Sequence, residues 1–193
     1  MRAPPLPPAL RRLIRARLTR ARALLLPSGE PPDADPAEAS APDEGDVLRV
    51  AARLDETARR RLGRSLALYH VGAGGCGGCE LELRMLRSAV YDLERFGLRF
   101  AASPRHADVL VVTGPPTRNM REALERARAA MPDPAWVVAV GDCALGVGPF
   151  AGGYAVHAGA TEAVPVDLAI PGCPPAPARV LAGLRALLEA NAR

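Results

Sequence analysis

The sequence predicts an α/β domain in which a mostly parallel β sheet lies between two layers of helices. From residue 65 onward, short apolar runs alternate with segments that have helical length and composition. Alternation of this kind favours parallel strands joined by crossover helices, which cover both faces of the sheet. With 49% hydrophobic content, the 193 residues can also supply one sizeable core and leave some length for appendages.

Five apolar runs are predicted to be strands, and three longer segments are predicted to be helices. The predicted strands are residues 65–71, 98–102, 108–114, 136–141 and 167–172. The first two helices are expected in ELELRMLRSAVYDLERFG, residues 80–97, and in NMREALERARAAM, residues 119–131. Near the carboxyl end, Pro177 to Ala190 place several leucines on one side of a third helix.

The first 46 residues are predicted to lie outside this sheet and its helices. In residues 1–26, apolar side chains fall near one helical face and arginines surround it, which indicates a basic amphipathic helix. Such a helix either packs loosely on its own domain or docks on a partner or on anionic lipid. Residues 27–46 hold repeated prolines and acidic side chains but no basic one, which is typical of a disordered acidic linker. Residues 47–193 then form the α/β domain, beginning with a short helical stretch over 47–62.

Charge and hydropathy argue against a nucleic-acid partner and against a membrane-spanning helix. The 25 basic and 21 acidic residues give a net charge of +4 without a basic patch interleaved with aromatics, so no nucleic-acid partner is expected. No apolar run reaches the roughly 18 to 20 residues that a membrane-spanning helix needs. The amino terminus lacks the uninterrupted apolar region of a secretory signal, because arginines interrupt its leucines. We therefore expect the chain in a reducing cytosol. Four cysteines in that compartment typically bind metal or do redox chemistry rather than form structural disulfides.

The four cysteines follow the ends of predicted strands. Cys76 and Cys79 come after the first strand in GAGGCGGCE, Cys143 after the fourth in VGDCALGVGPF, and Cys173 after the fifth in IPGCPP. Because the carboxyl ends of parallel strands meet at one edge of a sheet, we expect the four thiols to converge there. Four cysteine thiolates are the usual ligands of a [4Fe–4S] cluster, and a glycine-rich loop lets backbone N–H groups approach its sulfides.

Three other interpretations of these residues stay open. A structural zinc site can use four cysteines, although such sites favour two closely spaced pairs. A C-x-x-C segment after a strand can be a thioredoxin-like redox pair, which would leave Cys143 and Cys173 without a role. Gly72, Gly74 and Gly77 also satisfy the G-x-G-x-x-G pattern of dinucleotide-binding loops, but the following strand lacks the acidic residue that would hold a ribose.

Four ordered stretches carry a resemblance to a known family. They are RSLALYHVGAGGCGGCELEL, VVTGPPTRNM, VGDCALGVGPF and IPGCPP, and they span roughly residues 64 to 188. Over this region the chain resembles the iron–sulfur small subunit of the membrane-associated [NiFe] hydrogenases related to respiratory complex I. That family also includes the 20 kDa subunit of NADH:quinone oxidoreductase.

The resemblance implies a three-layer, flavodoxin-like fold and assigns roles to particular residues. Cys76, Cys79, Cys143 and Cys173 match the ligands of one [4Fe–4S] cluster. Glu82 matches an acidic residue thought to lie beside the cluster and near the partner subunit. Three further residues match the loop that shapes the surroundings of the cluster; they are Thr113, Gly114 and Thr117. Within the family's R-S-x-x-x-x-H pattern, we interpret His70 as a hydrogen-bonded packing residue.

One departure from the complex I pattern distinguishes two branches of the family. The complex I subunits carry adjacent cysteines in the first motif, whereas Gly77 and Gly78 separate Cys76 from Cys79 here, as in the hydrogenase branch. The resemblance therefore implies a non-catalytic electron-transfer subunit of a hydrogenase-type complex. Alternatives are a component of an NADH:quinone oxidoreductase like its 20 kDa subunit, or a non-redox binding module with a degenerate or zinc site.

The resemblance also implies partners and a location. A hydrogenase-like large subunit would carry the catalytic site, and a ferredoxin-like subunit would exchange electrons with the cluster. Membrane subunits would be contacted through the arm formed by residues 1–26. We accordingly expect the chain to lie peripherally on the cytoplasmic side of the inner membrane.

Overall fold

The structure, a computed structural model, describes residues 24–25, 65–89, 91–96 and 98–190. The predicted amphipathic helix over residues 1–26 lies outside the described residues except at Leu24 and Leu25, which form a short strand rather than helix. The linker over 27–46 and the helical stretch over 47–62 also lie outside them.

Six strands in the described part of the chain form one sheet. They are β1 (Leu24–Leu25), β2 (Ala67–Gly72), β3 (Arg99–Phe100), β4 (Val109–Thr113), β5 (Trp136–Val140) and β6 (Leu168–Ile170). Their order across the sheet is β1-β6-β5-β4-β2-β3, and every neighbouring pair is parallel. The parallel sheet predicted from the sequence is therefore confirmed, and its five predicted strands are all present with slightly different bounds.

Apolar side chains alternate between the two faces of β4. Val109 and Val111 belong to the core cluster on one face, whereas Leu110 and Val112 belong to the cluster on the other. All four are essentially inaccessible to solvent. Since successive side chains of a strand point to opposite faces, an unbroken apolar run is what a central strand covered on both sides requires.

Helices cover both faces, as the three-layer prediction requires. They are α1 (Gly78–Met85), α2 (Arg121–Ala130) and α3 (Pro177–Ala190). Leu83 of α1 and Leu181 of α3 pack in the Val109 cluster, while Leu124 of α2 packs in the Leu110 cluster. Burying each of these leucines contributes about 1.5–3 kcal/mol.

The helix predicted over residues 80–97 is wrong beyond Met85. After α1 the chain turns, and among the described residues 86–89 and 91–96 only Leu93–Phe96 form a short 3₁₀ helix. The Ser88 hydroxyl donates to the Met85 carbonyl oxygen at 2.7 Å, which offers the backbone an alternative to a continued helix. Asp92 has a positive φ of 40°, which no α-helix accommodates. The other two predicted helices are confirmed as α2 and α3.

Two aspartates fix the register at the amino ends of the strands. Asp108 precedes β4, and its Oδ2 accepts the backbone N–H of Ala67 at 2.9 Å. Asp167 precedes β6, and its Oδ2 accepts the backbone N–H of Val137 at 2.8 Å. Burial raises the pKa of Asp167, while that hydrogen bond and the charge of Arg128 lower it in part. The residues that follow the strands, including the four cysteines, lie at the opposite end of the sheet.

Replacing Asp108 by Ala should lower the free energy of unfolding by about 1–3 kcal/mol, because the buried N–H of Ala67 loses this acceptor. Asp108→Asn keeps a carbonyl oxygen there and should recover most of the loss. Urea unfolding followed by circular dichroism measures both variants. Equal unfolding midpoints for Asp108→Ala and the unaltered protein would show that the bond does not contribute.

Candidate metal centre

The first cysteine pair lies where β2 passes into α1. Cys76 is exposed in the loop that follows β2, and Cys79 is the second residue of α1 and is partly buried. Gly77 has a φ of 82° at the start of that helix. The N-terminal turn of a helix carries partial positive charge, which offsets part of the cost of a thiolate at Cys79.

The two lone cysteines follow β5 and β6 at the same edge of the sheet. Cys143 is buried, with 8% of its surface exposed, whereas Cys173 is exposed. All four cysteines are free thiols. The structure thus places each of them just beyond the carboxyl end of a strand, as the strand assignments predict.

Glycines mark how closely the cysteine segments approach one another. A Cβ atom added to Gly141 would lie 2.5 Å from the Cys79 Sγ and 3.5 Å from the Gly172 carbonyl oxygen. Gly141 has a φ of 93°, so it needs glycine's conformational freedom as well as its lack of a side chain. The sulfur of Cys79 therefore lies against the segment that leads into Cys143, and that segment in turn lies beside the one that leads into Cys173.

Burial and electrostatic interactions between the thiols raise the pKa values of Cys79 and Cys143. The pKa of Cys79 is raised to about 12, first by burial and then by negative charge at Glu80, Cys143, Cys173 and Cys76, in that order. Burial is also the largest cause that raises the pKa of Cys143, followed by the charge of Cys173. Thiols that resist ionisation in this way become stable thiolates only beside a concentrated positive charge, such as metal ions supply.

Asp142 joins the segments that carry the two lone cysteines. Its Oδ1 accepts the backbone N–H of Gly172 at 2.8 Å, and its own N–H donates to the Gly172 carbonyl oxygen at 3.0 Å. Asp142 immediately precedes Cys143, and Gly172 immediately precedes Cys173. This reciprocal pair fixes the position of one cysteine relative to the other.

The predicted loop residues lie directly against the glycine-rich loop. The Thr113 carbonyl oxygen accepts the Ala73 N–H at 2.8 Å, and the Thr117 N–H donates to the Ala73 carbonyl oxygen at 3.2 Å. At Gly114, with φ at 72°, an added Cβ would lie 1.7 Å from the Gly74 carbonyl oxygen. Thr113, Gly114 and Thr117 thus shape the loop that carries the first cysteine pair.

The family resemblance predicts Glu82 beside the cluster, but the carboxylate that contacts Thr113 in the structure is a different one. Glu82 lies on α1 and is partly buried, and its proximity to a cluster stays a prediction. Glu80 instead accepts a hydrogen bond from the Thr113 hydroxyl at 2.7 Å, and His70 Nε2 lies 2.8 Å from the same hydroxyl oxygen. The position of Glu80 directly after Cys79 was the available signal in the sequence.

Apolar side chains are exposed on α1, which carries Cys79, and on the loop after Cys143. Leu81 and Met85 on α1 are 58% and 44% exposed. On the loop after Cys143, Val147 is 73% and Phe150 is 41% exposed. A Cβ at Gly75 would lie 3.8 Å from the Phe150 ring, so this loop reaches the segment beside Cys76.

The donor set fits an iron–sulfur cluster. Four thiols lie on segments in mutual contact, next to glycines that leave their sulfurs uncovered by side chains. Among residues 65–89 and 98–190, no three or more His, Cys, Asp or Glu side chains are grouped so as to hold a single metal ion. The fit therefore rests on the chemistry of the donors and on the contacts between their segments.

None of the helices in the described part of the chain has the length and apolar composition needed to cross a lipid bilayer.

The profile of one protein family matches most of this region. It covers residues 76–187 and is described as the 20 kDa subunit of NADH ubiquinone oxidoreductase. The matched segment contains all four cysteines and begins at the first of them.

Two curated proteins with similar sequences are hydrogenase-related subunits. Formate hydrogenlyase subunit 7 of Escherichia coli is 45% identical over 64% of this chain, which spans about half, 49%, of that subunit. The "Probable membrane-bound hydrogenase subunit mbhJ" of Pyrococcus furiosus is 40% identical over 68% of this chain and 79% of its own length.

Solved structures support the same fold. A chain of the membrane-bound sulfane sulfur reductase, an archaeal respiratory membrane complex, aligns with a TM-score of 0.58 at 33% identity. That alignment covers 71% of this chain and 74% of the reductase chain. A chain of an NAD⁺-reducing [NiFe]-hydrogenase, at 22% identity over 65% of this chain and 92% of its own, shares the fold with a TM-score of 0.52.

Gly141→Ala should displace the Cys79 sulfur and sharply lower the iron bound per chain after anaerobic purification. Gly152→Ala is the matched control, because Gly152 also has a positive φ, 75°, but nothing lies within 4 Å of its added Cβ. Both variants bear the backbone strain of about 1–3 kcal/mol, whereas only Gly141→Ala meets the sulfur. Equal iron content in the two variants would contradict the close contact at Cys79.

Proposed function

Because this chain belongs to the family of the 20 kDa subunit of NADH ubiquinone oxidoreductase, which includes subunits of hydrogenase complexes, we propose that it is an electron-transfer subunit. In this proposal Cys76, Cys79, Cys143 and Cys173 hold one [4Fe–4S] cluster. The observation that carries it is that all four cysteines follow the carboxyl ends of strands at one end of the sheet, where a Cβ added to Gly141, two residues before Cys143, would lie 2.5 Å from the Cys79 sulfur.

The chain's own residues would provide the setting of the cluster. When bound, a cluster of this type accepts and releases single electrons. Partial burial of Cys79 and burial of Cys143 keep water from two of the sulfurs, which influences the reduction potential. The glycine-rich loop after β2 brings backbone N–H groups near the site without interposed side chains. The exposed Cys76 and Cys173 would be the side from which a partner exchanges electrons.

The spacing of the first cysteine pair favours the hydrogenase branch. Two residues, Gly77 and Gly78, separate Cys76 from Cys79, as they do in that branch. Similarity to a formate hydrogenlyase subunit and to a membrane-bound hydrogenase subunit supports this choice over the 20 kDa component of an NADH:quinone oxidoreductase.

A large catalytic subunit would cover the end of the sheet at which the four cysteines lie. The relatives are subunits of hydrogenase and complex I-like assemblies, so partners of that kind are expected. Apolar surface is exposed on α1, at Leu81 and Met85, and on the loop after Cys143, at Val147 and Phe150. A hydrogenase-like subunit seated there would exclude water from Cys76 and Cys173, and a ferredoxin-like subunit would complete the electron path.

The amino-terminal arm would link the subunit to the membrane part of the complex. Residues 1–26, which form this arm, carry arginines but no acidic side chain, which suits contact with membrane subunits or anionic headgroups. In this proposal the chain lies peripherally on the cytoplasmic side of the inner membrane.

Anaerobically purified protein should be brown, contain about four irons per chain and give an EPR signal on reduction. Cys143→Ser should remove the signal or alter it and lower the iron content, since it removes a buried ligand. Ala151→Ser, which adds a hydroxyl at an exposed position of the same loop, is the control and should match the unaltered protein. Colourless protein that carries zinc instead would refute the proposal.

Deleting residues 1–23 leaves β1 in place and should release the subunit from washed membranes without changing its iron content. Sedimentation and iron analysis of the same preparations measure the two effects separately. If the shortened chain still sediments with membranes as the full chain does, the arm has no anchoring role.

A further inference from the structure

We infer that Thr113 clamps both ends of the first cysteine loop and so positions Cys79, with Glu80 and His70 as its hydrogen-bonding partners. The inference rests on the proposed function, because the residue that Thr113 would position, Cys79, is a proposed cluster ligand. Thr113 and Glu80 would be positioning residues that act through Cys79 and do not contact the iron.

The clamp acts on the loop at its start and at its end. At the start, the Thr113 carbonyl oxygen accepts the backbone N–H of Ala73 at 2.8 Å. At the end, the Thr113 hydroxyl donates to the Glu80 Oε1 at 2.7 Å, and Glu80 directly follows Cys79 in α1. One buried residue of β4 therefore holds the loop between Ala73 and Glu80 from both sides.

Proton counting fixes the direction of each hydrogen bond. The Thr113 hydroxyl has one hydrogen, which it gives to Glu80, so its oxygen can only accept from His70. His70 must then carry its hydrogen on Nε2. Burial, the largest cause, lowers the pKa of His70, and the neutral ring with that hydrogen suffices for the bond. His70 in β2 thereby orients the hydroxyl towards Glu80.

The loop needs an external restraint because its own backbone supplies little stiffness. Gly74, Gly75 and Gly77 have φ values of 133°, 101° and 82°, which are accessible mainly to glycine. A loop with so much glycine has many conformations available, and ordering it costs conformational entropy. Fixing the Glu80 carboxylate orients the first turn of α1 and with it the Cβ of Cys79.

The Glu80 carboxylate also lies against the end of β2. A Cβ added to Gly72, the last residue of β2, would lie 3.1 Å from the Glu80 Oε1. Thr113 itself is fully buried, so no solvent competes for its hydroxyl.

Thr113→Val tests the inference, because valine keeps the shape of threonine and removes the hydroxyl. Thr113→Ser keeps the hydroxyl and is the matched rescue. We expect the valine variant, purified anaerobically, to lose iron to a chelator about 10 to 100 times faster than the unaltered protein and to show a shifted reduction potential. The serine variant should remain close to the unaltered protein in both measurements.

A second pair of variants tests the same clamp from the other side. Glu80→Gln retains an acceptor for the Thr113 hydroxyl and should lose iron only slightly faster, whereas Glu80→Leu should behave like Thr113→Val. Circular dichroism on each variant shows whether the fold is intact, and the Glu80 pair decides the question if Thr113→Val does not fold.

The outcomes separate this inference from the proposed function. If the unaltered protein holds iron and both Thr113→Val and Glu80→Leu hold it equally well, the clamp is refuted and the proposed function stands. If the unaltered protein holds no iron–sulfur cluster, the proposed function fails and the inference fails with it.

Discussion

Four thiols at one end of a parallel sheet repel one another as soon as they begin to ionise, and the segments that carry them must be held in place against that repulsion. The pKa of Cys79 is raised by burial and by each of the other three cysteines. A thiolate set of this kind is stable only around a strongly positive core, and a cubane of iron and sulfide is such a core. In the proposed function, the bound cluster would offset the cost of holding these sulfurs close together.

Side chains beside the cysteines supply the restraint that this arrangement needs. Asp142 ties the segment before Cys143 to the segment before Cys173. Thr113 and Glu80 tie the first cysteine loop to β4. The ligand loops themselves are rich in glycine, which brings the backbone close to the sulfurs but leaves it without stiffness. Close approach and rigidity thus come from different residues.

The sequence predicted the sheet and the position of the cysteines because both depend on local patterns. Apolar runs identified β4 and β5, and the cysteines followed the ends of such runs. The helix expected through residue 97 failed because Ser88 and Asp92 break it through local bonds and a positive φ that composition does not reveal. The bonds of Glu80 and Asp142 could not be predicted, since their partners lie 33 and 30 residues away and are chosen by tertiary packing.

An anomalous difference map at the iron absorption edge, from crystals grown without oxygen, tests directly whether the four cysteines hold one cluster. We expect one compact group of four irons, each bonded to one of the sulfurs of Cys76, Cys79, Cys143 and Cys173. A map with a single metal ion, or with any of these four sulfurs left unbonded, would contradict it.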